Sequence, residues 1–140
     1  MIEKKIIGNK ELISILDLHL FDLDAKVDTG ADSNALHCDD IFVDDDNIVH
    51  FKLLDEVHEA YNGKHMQMHL HEMKKIRSSN GKLQNRPSIE VTVKFFGEEY
   101  KTIISLTNRA DMKYPMLIGK KFLANKFLVD VSQEYLTKQI

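Results

Sequence analysis

The chain has one cysteine, two prolines, no excess of basic charge and no long apolar run. A lone Cys38 cannot close an internal disulfide, which agrees with a reducing compartment. Asp39 and Asp40 beside it disfavour the thiolate, so a half-buried small residue is expected there rather than a nucleophile. Nineteen Lys and Arg are interleaved with 22 Asp and Glu for a net charge of -3. That leaves no basic stripe for a phosphate backbone, and nucleic acid is not an expected partner. The opening "MIEKKIIGNKELISIL" breaks its apolar residues at Gly8, Asn9, Lys10 and Glu11, before a signal-peptide core could form. No later run approaches the roughly 18 uninterrupted apolar residues of a membrane span. A soluble, cytoplasmic protein without a membrane partner is expected.

Signatures of cofactor chemistry are missing as well. The metalloprotease pattern His-Glu-x-x-His fails because "HEMKK" places Lys75 where the second histidine belongs. No Gly-x-x-x-x-Gly-Lys-Ser/Thr phosphate loop exists, so any ATP dependence would have to come from a partner. There is no internal repeat, linker or low-complexity segment beyond "DDDN", whose Asp44, Asp45 and Asp46 read as a solvated loop.

What remains is strand patterning. With 140 residues, 43% of them hydrophobic, the chain is long enough for one domain (1–140) with a real core. In "FDLDAKVD", Phe21, Leu23, Ala25 and Val27 alternate with Asp22, Asp24, Lys26 and Asp28, the period of a half-buried strand. Ile89, Val91, Val93 and Phe95 alternate up to a turn at Phe96-Gly97-Glu98, and Tyr100, Thr102, Ile104 and Leu106 alternate after it, which predicts a hairpin. "NIVHFKLL" and "KHMQMHLHEMKKI" predict a second strand pair, and Asn80-Gly81 is a hairpin-turn signal because a type I′ turn needs two positive φ angles. Only "GKKFLANK" looks helical. Short strands with regular turn signals imply an all-β barrel or sandwich.

Two clusters carry chemistry-bearing side chains. Seven histidines is a high count, and His58, His65, His69 and His71 crowd one region. On a strand, His65, Gln67, His69 and His71 would share one face, and two imidazoles at i and i+2 could reach one metal ion. Without a closed ligand set, a polar face is the expectation, with no metal and no cofactor. The second cluster is "KVDTGADSNALH", in which apolar alternation runs straight into Asp28. At a strand end, Asp-Thr-Gly projects a carboxylate from the rim, offers a hydroxyl to brace a neighbouring loop and gives the backbone room to approach the carboxylate. About ninety residues later "YPMLIGKKFL" places Leu117 and Ile118 before Gly119.

An Asp-Thr-Gly-Ala-Asp loop, a hairpin flap and a later apolar-apolar-Gly element before a short helix resemble the retropepsin-type aspartic peptidases, which include the retroviral proteases. The resemblance is closer to one bacterial family of that fold, labelled ATP-dependent zinc protease and often associated with ATP-grasp ligases of the ribosomal-protein glutamylating (RimK) type. It is carried by "KKIIGNKELISI", "AKVDTGADSNALH", "RSSNGKLQNRPSIEVTV" and "ISLTNRADMKYPMLIGKKFLANKFLVD", which cover most of the chain. Nothing in the residues supports the zinc of that label.

The resemblance implies an all-β, retropepsin-like closed barrel with one short C-terminal helix. It assigns Asp28 as the water-activating carboxylate, Thr29 and Gly30 as its supporting loop, and Ile118 and Gly119 as the platform beneath. It pairs Asp32 with Lys120, a lysine where the retroviral enzymes usually carry arginine, and so without the bidentate fork. Ala31 and Asp32, with the flap residues Arg77, Ser78, Ser79, Asn80 and Gly81, would meet the substrate, although this flap is polar rather than glycine-rich.

Such a peptidase needs two carboxylates sharing a proton about one water. The chain holds one Asp-Thr-Gly, and Asp111 lacks the hydroxyl and glycine after it. A twofold homodimer must therefore bring two copies of Asp28 together, with "VSQEYLTKQI" as a strand-like candidate for the interface. The expected function is a homodimeric aspartic endopeptidase of the bacterial cytoplasm, acting on peptide or protein. The alternative is a non-catalytic peptide- or carboxylate-binding module working with an ATP-grasp ligase, with Arg77, Arg109 and Lys120 as its rim. A zinc domain built on the 58–71 histidines ranks third.

Overall fold

A computed structural model describes residues 3–53, 63–77, 81–108 and 113–139. In chain order the strands are β1 (Lys5–Ile7), β2 (Lys10–Ile15), β3 (Leu20–Val27), β4 (Asn34–Val43), β5 (Ile48–Leu53), β6 (His65–His69), β7 (Glu72–Arg77), β8 (Leu83–Phe95), β9 (Glu98–Thr107), β10 (Met116–Ile118) and β11 (Phe127–Val129). One four-residue α-helix, α1 (Lys120–Leu123), follows β10, and short 3₁₀ turns occupy Leu16–Leu18 and Leu136–Gln139. No helix among the described residues is long and apolar enough to cross a membrane.

Six strands close into a barrel in the order β10-β3-β2-β8-β9-β4, and the ring is sealed because β10 pairs parallel with β3 and antiparallel with β4. Closure leaves these six strands no free edges. The interior is filled by the alternating residues of the strands, among them Ile13, Leu23, Ala25, Val27, Leu36, Ile89, Val91, Val93, Ile104, Met116 and Ile118, all buried. The predicted β8–β9 hairpin is present. Its two-residue turn places Phe96 at φ 53° and Gly97 at φ 80°, the positive pair of a type I′ turn.

Four local expectations need correction. Phe21 is 63% exposed and Leu20 takes the interior position. An extra residue in β3 shifts the register between Ile13↔Leu23 and Ile15↔Leu20; Asp22 sits at φ 52° and its N–H donates to Ser14 Oγ at 3.0 Å. A bulge of this kind turns the following side chains to the other face. "KHMQMHLHEMKKI" is two strands rather than one. Leu70 N–H donates to Asn47 O and His71 N–H to Ser88 O, and here the chain leaves β5 for β8. The tail is not a strand: Leu136–Gln139 winds into a 3₁₀ turn held by the Glu11 carboxylate. Cys38 is wholly enclosed rather than half-buried.

Outside the barrel, β5 and β6 extend the sheet from β4, while β7 folds onto the first half of β8 from Arg77↔Leu83 to Glu72↔Ser88. Gly81, between β7 and β8, has φ +85°. A separate parallel ribbon joins β1 to β11.

Candidate active site

The Asp28 loop begins where β3 leaves the barrel. Asp28 N–H donates to Ile118 O at 2.9 Å, continuing the β3–β10 ladder one residue beyond the strands. Gly30 N–H donates to Asp28 Oδ1 at 3.0 Å and Ala31 N–H to Asp28 O at 3.2 Å, so the loop curls around its own carboxylate. Asp28 is half-buried, whereas Thr29 and Gly30 are exposed at the tip.

The loop returns across α1. The Lys120 and Lys121 N–H groups donate to Ala31 O (2.8 Å) and Asp32 O (3.0 Å), so the first donors of the helix, which have no partner within it, are used by the loop. Gly119 permits that approach: a Cβ there would lie 2.6 Å from the Ser33 carbonyl carbon and oxygen. Its N–H donates to the buried Asn34 Oδ1 at 2.9 Å. Lys120 Nζ stands 3.2 Å from Asp32 Oδ1, with both side chains more than half exposed. An ion pair that open contributes little to stability.

Opposite the loop stands β7. Together they bound a groove of about 650 Å³ that contains Asp28, Gly30, Ala31 and Asp32 on one wall and residues 72–77 on the other. Arg77 lines it, and Arg77 Nη1 donates to Gly81 O at 3.0 Å. Ser78, Ser79, Asn80 and Arg109 lie outside the described residues. Lys120 is engaged with Asp32, and it is Lys121 that faces the groove. Among the described residues no second carboxylate hydrogen-bonds Asp28; the other two acids of the groove, Asp32 and Glu72, face Lys120 at 3.2 Å and Lys74 at 3.8 Å.

Sequence reasoning missed the cations of this groove. Lys74, Lys75, Arg86 and Lys121 join Arg77 there. The available signal was the charge run of "EMKKIR", where alternation along a strand sends side chains to both faces and gives no hint of which one meets the Asp28 loop.

The histidines arrange themselves differently from the expectation. His65 and His69 do share the exposed face of β6, but His71 lies beyond the end of that strand, and His58 is outside the described residues. His65 Nε2 meets His50 Nδ1 at 3.0 Å, and His50 Nε2 meets Asp44 Oδ2 at 2.7 Å. Asp44 therefore organises its turn rather than being merely solvated. The His50 imidazole, with the Ile48 and Asp46 N–H groups, holds its carboxyl below the usual carboxylate range. Among the described residues no three His, Cys, Asp or Glu side chains converge as a metal site.

A closed six-stranded barrel whose Asp-Thr-Gly loop is cradled by an Ile-Gly-helix element defines a retropepsin-like fold. The chain belongs to the RimB-like family, described as retropepsin-like aspartic endopeptidase RimB, whose profile matches residues 6–139. It is 30% identical over 142 aligned positions to a probable alpha-L-glutamate ligase of Shewanella halifaxensis, covering 94% of this chain and 30% of that protein. A protein of the same name from Parasynechococcus marenigrum is 29% identical, covering 93% of this chain and 28% of that protein. The chain thus spans less than a third of the length of these curated relatives. The crystal structure of a Legionella pneumophila protein of unknown function, Lpg0085, superposes with a TM-score of 0.77 over 96% of this chain and 99% of its own, at 24% identity; the two share the fold.

Proposed function

We propose that the protein is an aspartic endopeptidase in which two copies of Asp28, one from each subunit of a homodimer, activate water against a peptide carbonyl. The observation that carries this reading is the position of Asp28, on a loop curled around its carboxylate and facing an open groove. The ionised member of the pair takes a proton from water while the protonated member gives one to the carbonyl oxygen; collapse of the tetrahedral intermediate breaks the C–N bond and protonates the amine. Two carboxylates that close cannot both ionise cheaply, so the pair titrates as a unit. Within one chain Asp32 and Glu72 already face lysines, which favours a symmetry-related Asp28 as the second acid.

The β1–β11 ribbon supplies a surface for the second copy. Ile6 and Leu128 are register partners, 54% and 53% exposed, and Val131, just after β11, is 72% exposed. Val131 O accepts from Asn9 Nδ2 (3.2 Å) and Asn9 O from Val27 N–H (2.9 Å), so the segment that follows β11 is tied by two hydrogen bonds to the residue before Asp28.

The cations of the groove favour an acidic peptide. The name of the relatives, probable alpha-L-glutamate ligase, fits such a substrate, since glutamate carries a side-chain carboxylate, and it supports a functional link to a ligase of that kind. Cleavage of glutamate-rich peptides by the purified protein tests the reading. Asp28→Asn should abolish cleavage and leave the melting temperature unchanged. Activity that survives this substitution would end the proposal. Binding of acidic peptides with no cleavage at any pH would favour the carboxylate-binding module instead.

A further inference from the structure

The groove does not stop at the Asp28 loop. Ser33, Lys74 and Lys121 also line an adjoining recess of about 290 Å³, which continues to Lys101 and is backed by Asn34 and Phe122. Three lysines thus line one small space from three elements: Lys74 from β7, Lys101 from β9 and Lys121 from α1. We infer that this recess is an anion subsite, set apart from Asp28 along the groove, that takes one carboxylate or phosphoryl side chain of the bound peptide.

Positive charge is dense beside the recess as well. Lys74 and Arg86 are direct cross-strand partners on β7 and β8, and both line the groove. Neither side chain is free to swing fully into water: Arg86 is 7% exposed, and the Lys74 side chain 22%. Gln84 Oε1 accepts from Arg86, and the Glu72 carboxylate lies 3.8 Å from Lys74 Nζ, a loose contact. An anion entering the recess would offer Lys74 a closer partner than that loose contact.

The chemistry of the donors selects the ligand class. Lysines are compact, strongly hydrated point charges on flexible stems, without the planar fork of arginine. They suit an anion that arrives on a mobile side chain, whether carboxylate or phosphoryl. The buried Asn34 cannot compete for the role: its amide donates to Thr102 Oγ1 and Ile103 O, and its oxygen accepts from Gly119. Phe122 gives the recess an apolar wall, which strengthens the electrostatic contact relative to open water.

This inference rests on reading the groove as a peptide site, and its test is binding rather than cleavage. The full chain carrying Asp28→Asn is titrated into fluorescein-labelled glutamine peptides in which a single glutamate is walked from one end to the other. Tighter binding is expected when glutamate occupies one particular position. Lys101→Gln and Lys121→Gln, each in the Asp28→Asn background, should remove that gain by about three- to fivefold apiece. Lys94→Gln, which lines neither space, should match the parent. Phosphoserine at the favoured position decides the ligand: tighter binding than glutamate identifies a phosphoryl site, equal or weaker binding a carboxylate site. An equal gain at every position, no gain at any, or Lys101 and Lys121 variants indistinguishable from the parent would overturn the subsite. A subsite confirmed in a protein that cleaves nothing would leave this inference standing while the peptidase reading fell.

Discussion

Asn34 Oδ1 accepts the Gly119 N–H at 2.9 Å inside the protein, joining two residues 85 positions apart directly beneath the Asp28 loop. Its amide nitrogen reaches β9 through Thr102 Oγ1 and Ile103 O, so one side chain ties the start of β4 to both neighbouring elements. Asn34→Ala should therefore leave a buried N–H without its partner and cost roughly 1–3 kcal/mol in urea unfolding. Gly119→Ala tests the same junction from the other side. Its Cβ would stand 2.6 Å from the Ser33 backbone, and relief requires moving the loop, at about 1–3 kcal/mol. Peptide cleavage should fall more steeply in Gly119→Ala than its stability loss explains.

Glu11 is buried and accepts four hydrogen bonds, from Gly8 N–H, Leu136 N–H, Thr137 N–H and Thr137 Oγ1–H, at 2.7 to 3.0 Å. The carboxylate pins the C-terminal turn against β2, alongside the Tyr135 N–H bond to Lys10 O at 2.8 Å. Glu11→Ala would strand all four donors and should lower stability by at least about 3 kcal/mol. Limited proteolysis should then cut first in the last ten residues. A variant as stable as the parent would show that the tail is held by other contacts.

Tyr135 donates its phenol to Asp24 Oδ1 at 2.8 Å, and that bond, with burial, pushes its pKa up from 10.0 to about 12. Because the folded-state value lies above the ordinary one, the contact contributes fully below pH 10 and is lost as pH rises through about 12. Tyrosinate absorbance should show one of the four tyrosines ionising last, and Tyr135→Phe should remove that step. In the same variant the alkaline limb of the stability curve should flatten.

Dimerisation through the β1–β11 ribbon predicts that Ile6→Lys or Leu128→Lys weakens self-association by roughly tenfold or more in sedimentation velocity, since both side chains would lose an apolar partner surface. Each is more than half exposed in the single chain, so neither change should unfold it. Cleavage should fall in proportion to the dimer lost. Association unaffected by both changes would move the interface elsewhere.

Particular residues show how far the sequence could be read. The alternation of Ile89, Val91, Val93 and Phe95 up to Gly97 revealed the β8–β9 hairpin, because side chains of period two must face one core. The Asp-Thr-Gly loop and the one helical turn were equally plain, being local in chemistry. By contrast Phe21 was misplaced because a bulge costs one residue of register and leaves no trace in composition. The strand that closes the barrel, Met116–Ile118, is three residues long and pairs with β3 and β4 far behind it in sequence. No local pattern distinguishes so short a strand from a loop.

The sequence by itself determined which residues alternate, where the backbone turns, and that a single Asp-Thr-Gly stands at a strand end, since all three depend on neighbours a few positions apart. Only the tertiary structure decided that β7 lies across from Asp28 and that Lys74, Lys101 and Lys121 share one recess. Those positions are brought together by strand pairings over long separations and by the seating of α1, and the buried core, not the groove, holds the barrel closed.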